Sequence, residues 1–272
     1  MIRAKRKDEV MNHTLYCFCA NKKMREPFKD ISLSYVCIQV ILGSVLGDGS
    51  LKIQKNYKNA RLQIRHSVVQ KEYLIWKAEQ LNSVGLLKLQ KQKADGFSKN
   101  EKISFQSKAV TELTQIFNIV CQANKLDLQL HWLNALDELA LLIWWLDDGS
   151  LVSQKRQGCL CTDSFDNSSH QILQQYFIDS WQIYTRIGIV SRANLKNTDP
   201  TLPPYNRLYF NNTELQKLFH LIMPLLKIKS MVRKFAIQYT NRNDQKRWIS
   251  NMKKVMPNFH DEINRLYGCV KD

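Results

Sequence analysis

The chain has 272 residues and a large excess of basic side chains, with 40 Lys and Arg against 24 Asp and Glu and a formal net charge of +16 at pH 7. This excess favours a polyanionic partner, either nucleic acid or an anionic membrane surface. The longest apolar run, Leu139–Leu146, is far shorter than the roughly 20 residues of a membrane-spanning helix. The composition therefore argues against a protein that crosses a membrane.

The seven cysteines form no Cys-x-x-Cys pair, which argues against a zinc finger and against a disulfide framework. We therefore expect a reducing compartment. The segment Met1–Asp30 is basic and lacks the apolar core of a secretory signal, so we interpret it as an N-terminal arm.

One short segment occurs twice, as Ile41–Ser50 and Leu141–Ser150, and the acidic residues near its end differ by 148 − 48 = 100 positions. Each copy is an apolar run that ends in Asp-Gly-Ser. A helix that is apolar nearly all round must be buried, and we expect the glycine to end it in a left-handed cap. A carboxylate at the negative end of a helix needs a nearby cation, and Asp oxygens suit hard divalent metals. Asp48 and Asp148 are therefore candidate metal ligands, the alternative being two core helices with ordinary caps.

After each copy, the sequence predicts strands and helices in the same order. Ala60–Ser67 alternates apolar and polar residues without a break, which is typical of an antiparallel strand covered on one face. The other predicted strands are Leu51–Lys55, Leu86–Lys91, Lys102–Ser107, Leu151–Arg156, Gly158–Thr162, Val190–Lys196 and Arg207–Phe210. The predicted helices are Lys71–Ser83, Thr111–Val120 and His170–Ile187, the last closed by Gly188. A second match, at an offset of 213 − 111 = 102, supports an internal duplication.

The open faces of the predicted strands carry cationic and amide side chains. Arg suits guanine edges and Gln suits adenine edges in a DNA groove, although most single contacts of this kind go to phosphate. The candidate DNA-binding residues are Lys52, Gln54, Arg61, Gln63, Arg65, Lys88 and Gln90 in the first half, and Lys155, Arg156, Thr162, Arg192, Asn194, Lys196 and Arg207 in the second.

Leu42–Gly49 and Leu141–Gly149 resemble the two motifs of the LAGLIDADG homing endonucleases, of the two-motif, monomeric, intron-encoded type. The resemblance implies an α+β fold of two pseudo-symmetric repeats, each a concave antiparallel sheet with packed helices, and motif helices at the interface that bring the two aspartates side by side. The predicted organisation is an arm at 1–30, repeats at 31–131 and 132–240, and a helical tail at 241–272. One departure is Ile143 where the family has a small residue, matched here by Gly43 in the first copy.

The resemblance also implies a set of catalytic residues. Asp48 and Asp148 would bind Mg²⁺, for which Mn²⁺ can substitute, with the carbonyls of Gly47 and Asp147 as weaker candidates. Asp147 is alternatively a solvated neighbour. One basic residue in each half, Lys125 and Lys234, would assist catalysis, with Arg233 as a rival of Lys234 and an ordinary solvated cation as the alternative for each.

The function implied is a site-specific, metal-dependent DNA endonuclease that cuts both strands of a long asymmetric target and leaves short 3′ overhangs. The expected partner is its double-stranded DNA target, with no membrane and a monomeric state. Two alternatives are an RNA maturase of the same fold, whose partner is intron RNA, and a DNA-binding protein without catalysis. By analogy, the gene belongs to a mitochondrion or chloroplast.

Overall fold

The computed structural model describes residues 26–86, 101–191 and 203–268, and the backbone alone for residues 90–92. The chain divides into two compact units. Unit one contains the chain up to Asn124 together with Ala135–Leu141, and unit two contains Lys125–Asn134 and the chain from Leu142 onward. The repeat boundaries expected from the sequence stay predictions. Of the predicted arm, only the last five residues are described, and among them Phe28 is fully buried.

Unit one contains an antiparallel sheet in the order β1-β2-β4-β3. Its elements are α1 (Tyr35–Leu46), β1 (Gly49–Lys52), β2 (Arg61–Ser67), a 3₁₀ turn (Val68–Gln70), α2 (Lys71–Gln80), β3 (Gln90–Gln92), β4 (Lys102–Gln106), α3 (Thr111–Val120) and the short strand β5 (Cys121–Gln122). Both α2 and α3 pack against this sheet.

Unit two contains a second antiparallel sheet, β7-β8-β10-β9, with the same strand order relative to the chain. Its first elements are β6 (Lys125–Leu126), α4 (Leu130–Leu133), α5 (Glu138–Asp148, which begins in unit one), β7 (Gly149–Val152), β8 (Gln157–Leu160), α6 (Asn167–Trp181), β9 (Arg186–Val190), β10 (Tyr205–Phe210) and α7 (Asn212–Ile222). Three 3₁₀ segments (Met223–Leu225, Lys229–Phe235 and Pro257–Phe259) and the helices α8 (Arg242–Val255) and α9 (His260–Tyr267) follow. The predicted α+β fold with antiparallel sheets is confirmed.

Helix α1 forms where the sequence predicted a buried helix. Ser34 caps it, because the Ser34 Oγ accepts a hydrogen bond from the Cys37 N–H at 3.1 Å. Every residue from Val36 to Leu46 is buried. The single amide side chain in this run, Gln39, is fully buried and donates to the carbonyl of Ala135 at 2.9 Å. A buried amide is tolerated only when it is hydrogen-bonded, so Gln39 ties α1 to the chain just before α5.

Alternation places the apolar residues of β2 on the helix-covered face of the sheet. Leu62 and Ile64 are fully buried, whereas Arg61 and Gln63 are half-exposed and Arg65 is exposed. Since α2 and α3 cover one face, the polar face stays open. In unit two, α6 and α7 contact the second sheet in the same way.

Several predicted elements of unit two are wrong in their boundaries, including β9, which spans Arg186–Val190 rather than beginning at Val190. Helix α6 ends at Trp181 rather than Ile187, because Gln182 adopts the left-handed conformation (φ 53°). Gly188 lies inside β9 opposite Arg207, not at a helix end. Strand β7 stops at Val152, since Ser153, Gln154 and Lys155 form a left-handed turn with φ of 52°, 58° and 64°.

Candidate active site

The first motif delivers Asp48 between the end of α1 and the start of β1. Its carboxylate is 40% exposed, and its Oδ2 lies 3.2 Å from the Nδ1 of His66. The His66 side chain is fully buried on the covered face of β2. Asp48 is therefore held on one side by an imidazole and open to solvent on the other.

The second motif delivers Asp148 at the last position of α5, immediately before β7. The Asp148 carbonyl accepts a hydrogen bond from the Cys161 N–H at 3.1 Å. The next carbonyl, that of Gly149, accepts one from the Lys234 Nζ at 2.6 Å. Lys234 therefore contacts the chain next to the motif aspartate, whereas Arg233 is exposed. Of the two rival residues, the contact favours Lys234.

The motif glycines are required for a different reason from the predicted one. The prediction of left-handed caps is wrong, because Gly268 is the one glycine with positive φ among the described residues. A Cβ on Gly49 would lie 2.7 Å from the Ser44 carbonyl oxygen. A Cβ on Gly149 would lie 2.3 Å from the Trp145 ring and 2.4 Å from the Trp145 carbonyl oxygen. Glycine is needed because the strand turns back against the last turn of the helix.

The large residues of the second motif are anchored inside unit two. The Trp144 ring stacks on Phe177 at 5.9 Å between centroids, and the Trp145 ring meets Phe219 edge-on at 5.0 Å. The Trp145 Nε1 donates to the Lys234 carbonyl at 3.3 Å, so the same tryptophan supports the backbone of the candidate lysine. The two tryptophans that follow Ile143 thus pack within unit two.

The remaining predicted residues near the motifs occupy varied positions. Lys125 is exposed on β6, Asp147 is half-buried at the end of α5, and Gly47 follows α1, where its N–H donates to the Ser44 carbonyl at 3.1 Å.

The open face of the first sheet collects the predicted cationic and amide residues. Lys52 lies opposite Arg61, and Gln63 lies opposite both Ser50 and Gln106 in the register. The Arg61 guanidinium also lies 4.0 Å from the centre of the Tyr57 ring. Sequence reasoning missed Ser50 and Gln106, although the alternation of their own strands places them on this face.

The open face of the second sheet is built differently, around Arg207. Its guanidinium donates to both carboxylate oxygens of Asp163, at 2.6 and 2.7 Å. This pairing is the main reason that the pKa of Arg207 is raised well above its ordinary value. Sequence reasoning missed Arg186, whose guanidinium lies 5.1 Å from the centre of the Tyr209 ring.

Several predicted DNA-binding residues do not lie on an open strand face. Thr162 is 1% exposed, and its hydroxyl is 2.8 Å from the Nε2 of His170, so its predicted exposure is wrong. Lys155 and Arg156 lie in the turn after β7, and Gln54 is exposed beyond the end of β1. Gln90 lies opposite Ser104 in the backbone register. Lys88, Arg192, Asn194 and Lys196 lie outside the described residues.

Two cysteines lie side by side on the second sheet. A hydrogen bond from Cys159, with a further contribution from Arg207, lowers the pKa of the Cys161 thiol to about 7. The same hydrogen bond and burial raise the pKa of Cys159 far above its ordinary value. At neutral pH, negative charge on this pair therefore resides on Cys161.

Residues 38–218 match the model of the LAGLIDADG DNA endonuclease family. The chain belongs to this family. The resemblance expected from the sequence is therefore confirmed, and the family is one of metal-dependent DNA nucleases. Among the described residues, no helix has the length and apolar character needed to cross a membrane.

Solved structures and curated sequences also match the chain, with sequence identities below 30%. The homing endonuclease I-WcaI bound to its DNA recognition sequence is 19% identical, with a TM-score of 0.64 over 76% of this chain and 88% of that one. I-DmoI in complex with DNA and Ca is 13% identical, with a TM-score of 0.42 over 70% of this chain and 90% of that one. RecA of Mycobacterium shimoidei is 27% identical over 168 residues, which span 57% of this chain and 38% of that protein.

Proposed function

We propose that this LAGLIDADG protein is a site-specific homing endonuclease that hydrolyses both strands of a double-stranded DNA target with a divalent metal. The observation that carries the proposal is the repeated construction of the motif end. In each unit, an aspartate lies at the end of a buried helix, or two residues beyond it, and immediately precedes the first strand of a sheet in the same strand order. A fold that only bound DNA would have no need for this paired placement of carboxylates.

The residues at the two motif ends fit a hard divalent cation. In unit one these are the Asp48 carboxylate and, as a secondary candidate, the Gly47 carbonyl; in unit two they are the Asp148 carboxylate and the Asp147 carbonyl, all oxygen donors of the kind that Mg²⁺ prefers. When bound, Mg²⁺ or Mn²⁺ would polarise a phosphoryl oxygen and lower the pKa of a bound water. The half-exposed carboxylate of Asp48 leaves room for such a ligand.

Lys234 has a distinct task in this scheme. Its ammonium group donates to the Gly149 carbonyl at 2.6 Å, which sets a cation next to the second motif, where it would orient water or stabilise charge on phosphate oxygens. We propose the corresponding role for Lys125, which is exposed and thus accessible to DNA.

The open sheet faces supply the binding surface. In unit one, Lys52, Arg61 and Arg65 share a face with Gln63, which combines phosphate-binding cations with a residue able to read adenine. In unit two, the cations of the sheet are Arg186 and Arg207. Because the two faces differ in chemistry, they suit a long asymmetric target. Short 3′ overhangs, the monomeric state and an organellar, intron-encoded origin stay predictions from the resemblance.

A cleavage assay tests the proposal. Purified protein is incubated with a supercoiled plasmid that carries the sequences flanking its own gene, joined without the insertion, in Mg²⁺, in Mn²⁺ and in EDTA. We expect metal-dependent linearisation that Asp48→Asn and Asp148→Asn each reduce by at least about a hundredfold, as loss of charge stabilisation does. Asp261→Asn is the matched control, because it removes one carboxylate from an exposed position in α9 and should retain cleavage.

Tight DNA binding without cleavage in any divalent metal would overturn the nuclease proposal. Splicing of a cognate intron RNA by the same preparation would then support the maturase alternative. Cleavage that survives both aspartate substitutions would instead remove Asp48 and Asp148 from the mechanism.

A further inference from the structure

A fully buried histidine contacts the candidate metal ligand of unit one. The Nδ1 of His66 lies 3.2 Å from the Oδ2 of Asp48, and the imidazole side chain has no exposed surface. Because β2 turns this residue toward the covered face of the sheet, the ring cannot reach DNA on the open face. Its contact with Asp48 is therefore its link to the chemistry of the site.

Neighbouring side chains on α2 fix the orientation of the His66 ring. Tyr73 on α2 packs against it, with ring centroids 5.1 Å apart and planes inclined by 38°. The ammonium of Lys77, also fully buried, lies 4.5 Å from the centre of the Tyr73 ring. Closely packed aromatic neighbours restrict the rotation of a buried ring, so the Nδ1 of His66 has a defined position.

The duplication itself does not account for this histidine. Gly49 lies opposite Ile64 in the first sheet, and Gly149 lies opposite Leu160 in the second. Two positions beyond these partners, the first unit has His66 and the second has Thr162. Thr162 is equally buried, but its hydroxyl contacts His170 at 2.8 Å. The fold thus accommodates a small residue at this place, and the imidazole is particular to the half that contains Asp48.

We propose that His66 is a positioning residue that holds the Asp48 carboxylate in one orientation and directs its Oδ1 toward a divalent cation. In the tautomer that carries the proton on Nδ1, the ring presents a donor to Oδ2 across 3.2 Å, and the carboxylate has a second oxygen that can bind the metal. Partners of this kind fix the orientation of ligating carboxylates in metal sites. The inference rests on the proposed function, because it requires Asp48 to bind the metal.

The test measures Mn²⁺ binding directly, by the electron paramagnetic resonance signal of free Mn²⁺ during titration of the protein. His66→Leu removes the donor but keeps an apolar side chain in the core, and we expect Mn²⁺ binding to weaken by about 10- to 100-fold. His66→Asn places an amide nitrogen near the former Nδ1 and should recover most of the loss. Asp48→Asn should abolish the same binding event.

Thr114→Val is the control for stability. Thr114 Oγ1 accepts the Ala60 N–H at 2.9 Å in the same unit, so the variant loses a structural hydrogen bond without touching Asp48. Its melting temperature should fall while its Mn²⁺ affinity stays that of the wild type. The Mg²⁺ concentration for half-maximal cleavage should rise in His66→Leu, with a smaller change in the rate at saturating Mg²⁺.

Each other outcome has a definite meaning. Wild-type Mn²⁺ affinity in His66→Leu, together with loss in Asp48→Asn, would overturn the inference and leave the proposed function standing. Equal losses in His66→Leu and Thr114→Val would show a purely structural role and overturn it as well. If Asp48→Asn and the wild type behave alike in the Mn²⁺ titration, the proposed function fails and the inference fails with it.

Discussion

The two units share a backbone plan and differ in the side chains that occupy it. Both sheets have the same strand order, and in both the motif glycine lies opposite an apolar residue of the second strand, Ile64 or Leu160. The next residue along the chain is Arg65, still within β2, in unit one and Cys161, just past the end of β8, in unit two. A cation at this position of unit one is thus replaced by a thiol in unit two.

The contacts that hold the two motif aspartates in place also differ between the units. In unit one the side chain of Asp48 contacts His66. In unit two the main chain is held instead, since Cys161 donates to the Asp148 carbonyl and Lys234 donates to the Gly149 carbonyl. The shared strand register therefore fixes where each aspartate lies, whereas the groups that contact it differ between the units.

The largest expected effect concerns Lys234, whose counterpart in this comparison is the exposed Lys125. Lys234→Met should lower the cleavage rate by about a hundredfold or more, because a positioned proton donor typically contributes that much. The measurement is single-turnover cleavage of a plasmid target at saturating Mg²⁺. Lys125→Met, assayed in parallel, shows whether both halves depend on a lysine.

Arg233→Met is the matched control for Lys234, since it removes the adjacent charge from an exposed position. It should change the cleavage rate by only a few-fold. A larger loss in Arg233→Met than in Lys234→Met would show that the hydrogen bond between Lys234 and Gly149 does not mark the catalytic lysine.

The next prediction compares the stabilities of variants at the two motif glycines, Gly49 and Gly149. Gly149→Ala should lower the free energy of unfolding by about 3 kcal/mol and Gly49→Ala by about 1 kcal/mol, within the usual range for overpacking. The larger cost follows from the closer approach of a Cβ to the Trp145 ring and carbonyl than to the Ser44 carbonyl. Urea unfolding monitored by tryptophan fluorescence measures both.

Ser150→Ala tests whether that loss belongs to the glycine. Ser150 is exposed one residue further along β7, so its substitution should leave stability within about 0.5 kcal/mol. Equal costs at Gly49 and Gly149 would show that the Trp145 ring moves aside without penalty.

Local sequence pattern was sufficient to predict the motif helices and strand β2. The apolar run of α1 and the strict alternation of β2 depend on neighbours in sequence, and each was recognisable. The aspartates at the ends of α1 and α5 followed from the same repeated pattern.

The side-chain contacts of the site depend instead on residues far apart in sequence. The pairs Asp48 with His66 and Asp163 with Arg207 form only once strand register is set. The predicted exposure of Thr162 failed because β8 ends at Leu160, so alternation no longer decides its direction. The requirement for glycine at 149 likewise depends on where the Trp145 ring packs.

DNA affinity should change modestly when the Arg207 pair is broken. Asp163→Asn removes a carboxylate that accepts hydrogen bonds from the Nε and Nη2 of Arg207. The Arg207 cation then becomes available to phosphate. Binding should tighten, and the slope of log affinity against log salt concentration should steepen by about one. Fluorescence anisotropy with a labelled duplex over a range of salt concentrations measures both quantities.

Asp244→Asn removes the same charge from a pair with Arg247 on α8, away from the strands. Its salt slope should equal that of the wild type. An identical steepening in both variants would indicate that overall charge, and not the Arg207 contact, controls affinity.

The smallest expected effect concerns Cys161, which lies in unit two at the position that Arg65 occupies in unit one. Because the pKa of the Cys161 thiol is lowered to about 7, its thiolate, the reactive form, predominates above that pH and is lost as pH falls below it. Iodoacetamide labelling, followed by peptide mass spectrometry, should therefore show a rate at Cys161 that levels off above pH 8 and decreases about tenfold per unit below pH 6.

Cys159→Ala removes the hydrogen bond that is the main cause of the lowered Cys161 pKa, so the midpoint should move upward toward the ordinary thiol value. Cys37, whose burial raises its pKa to about 11, provides an internal reference that labels slowly across this range. A Cys161 midpoint near 9 in the wild type would mean that the two thiols do not interact. Unit two would then carry no negative charge at neutral pH at the position where unit one has Arg65, and the two units would differ there by one charge instead of two.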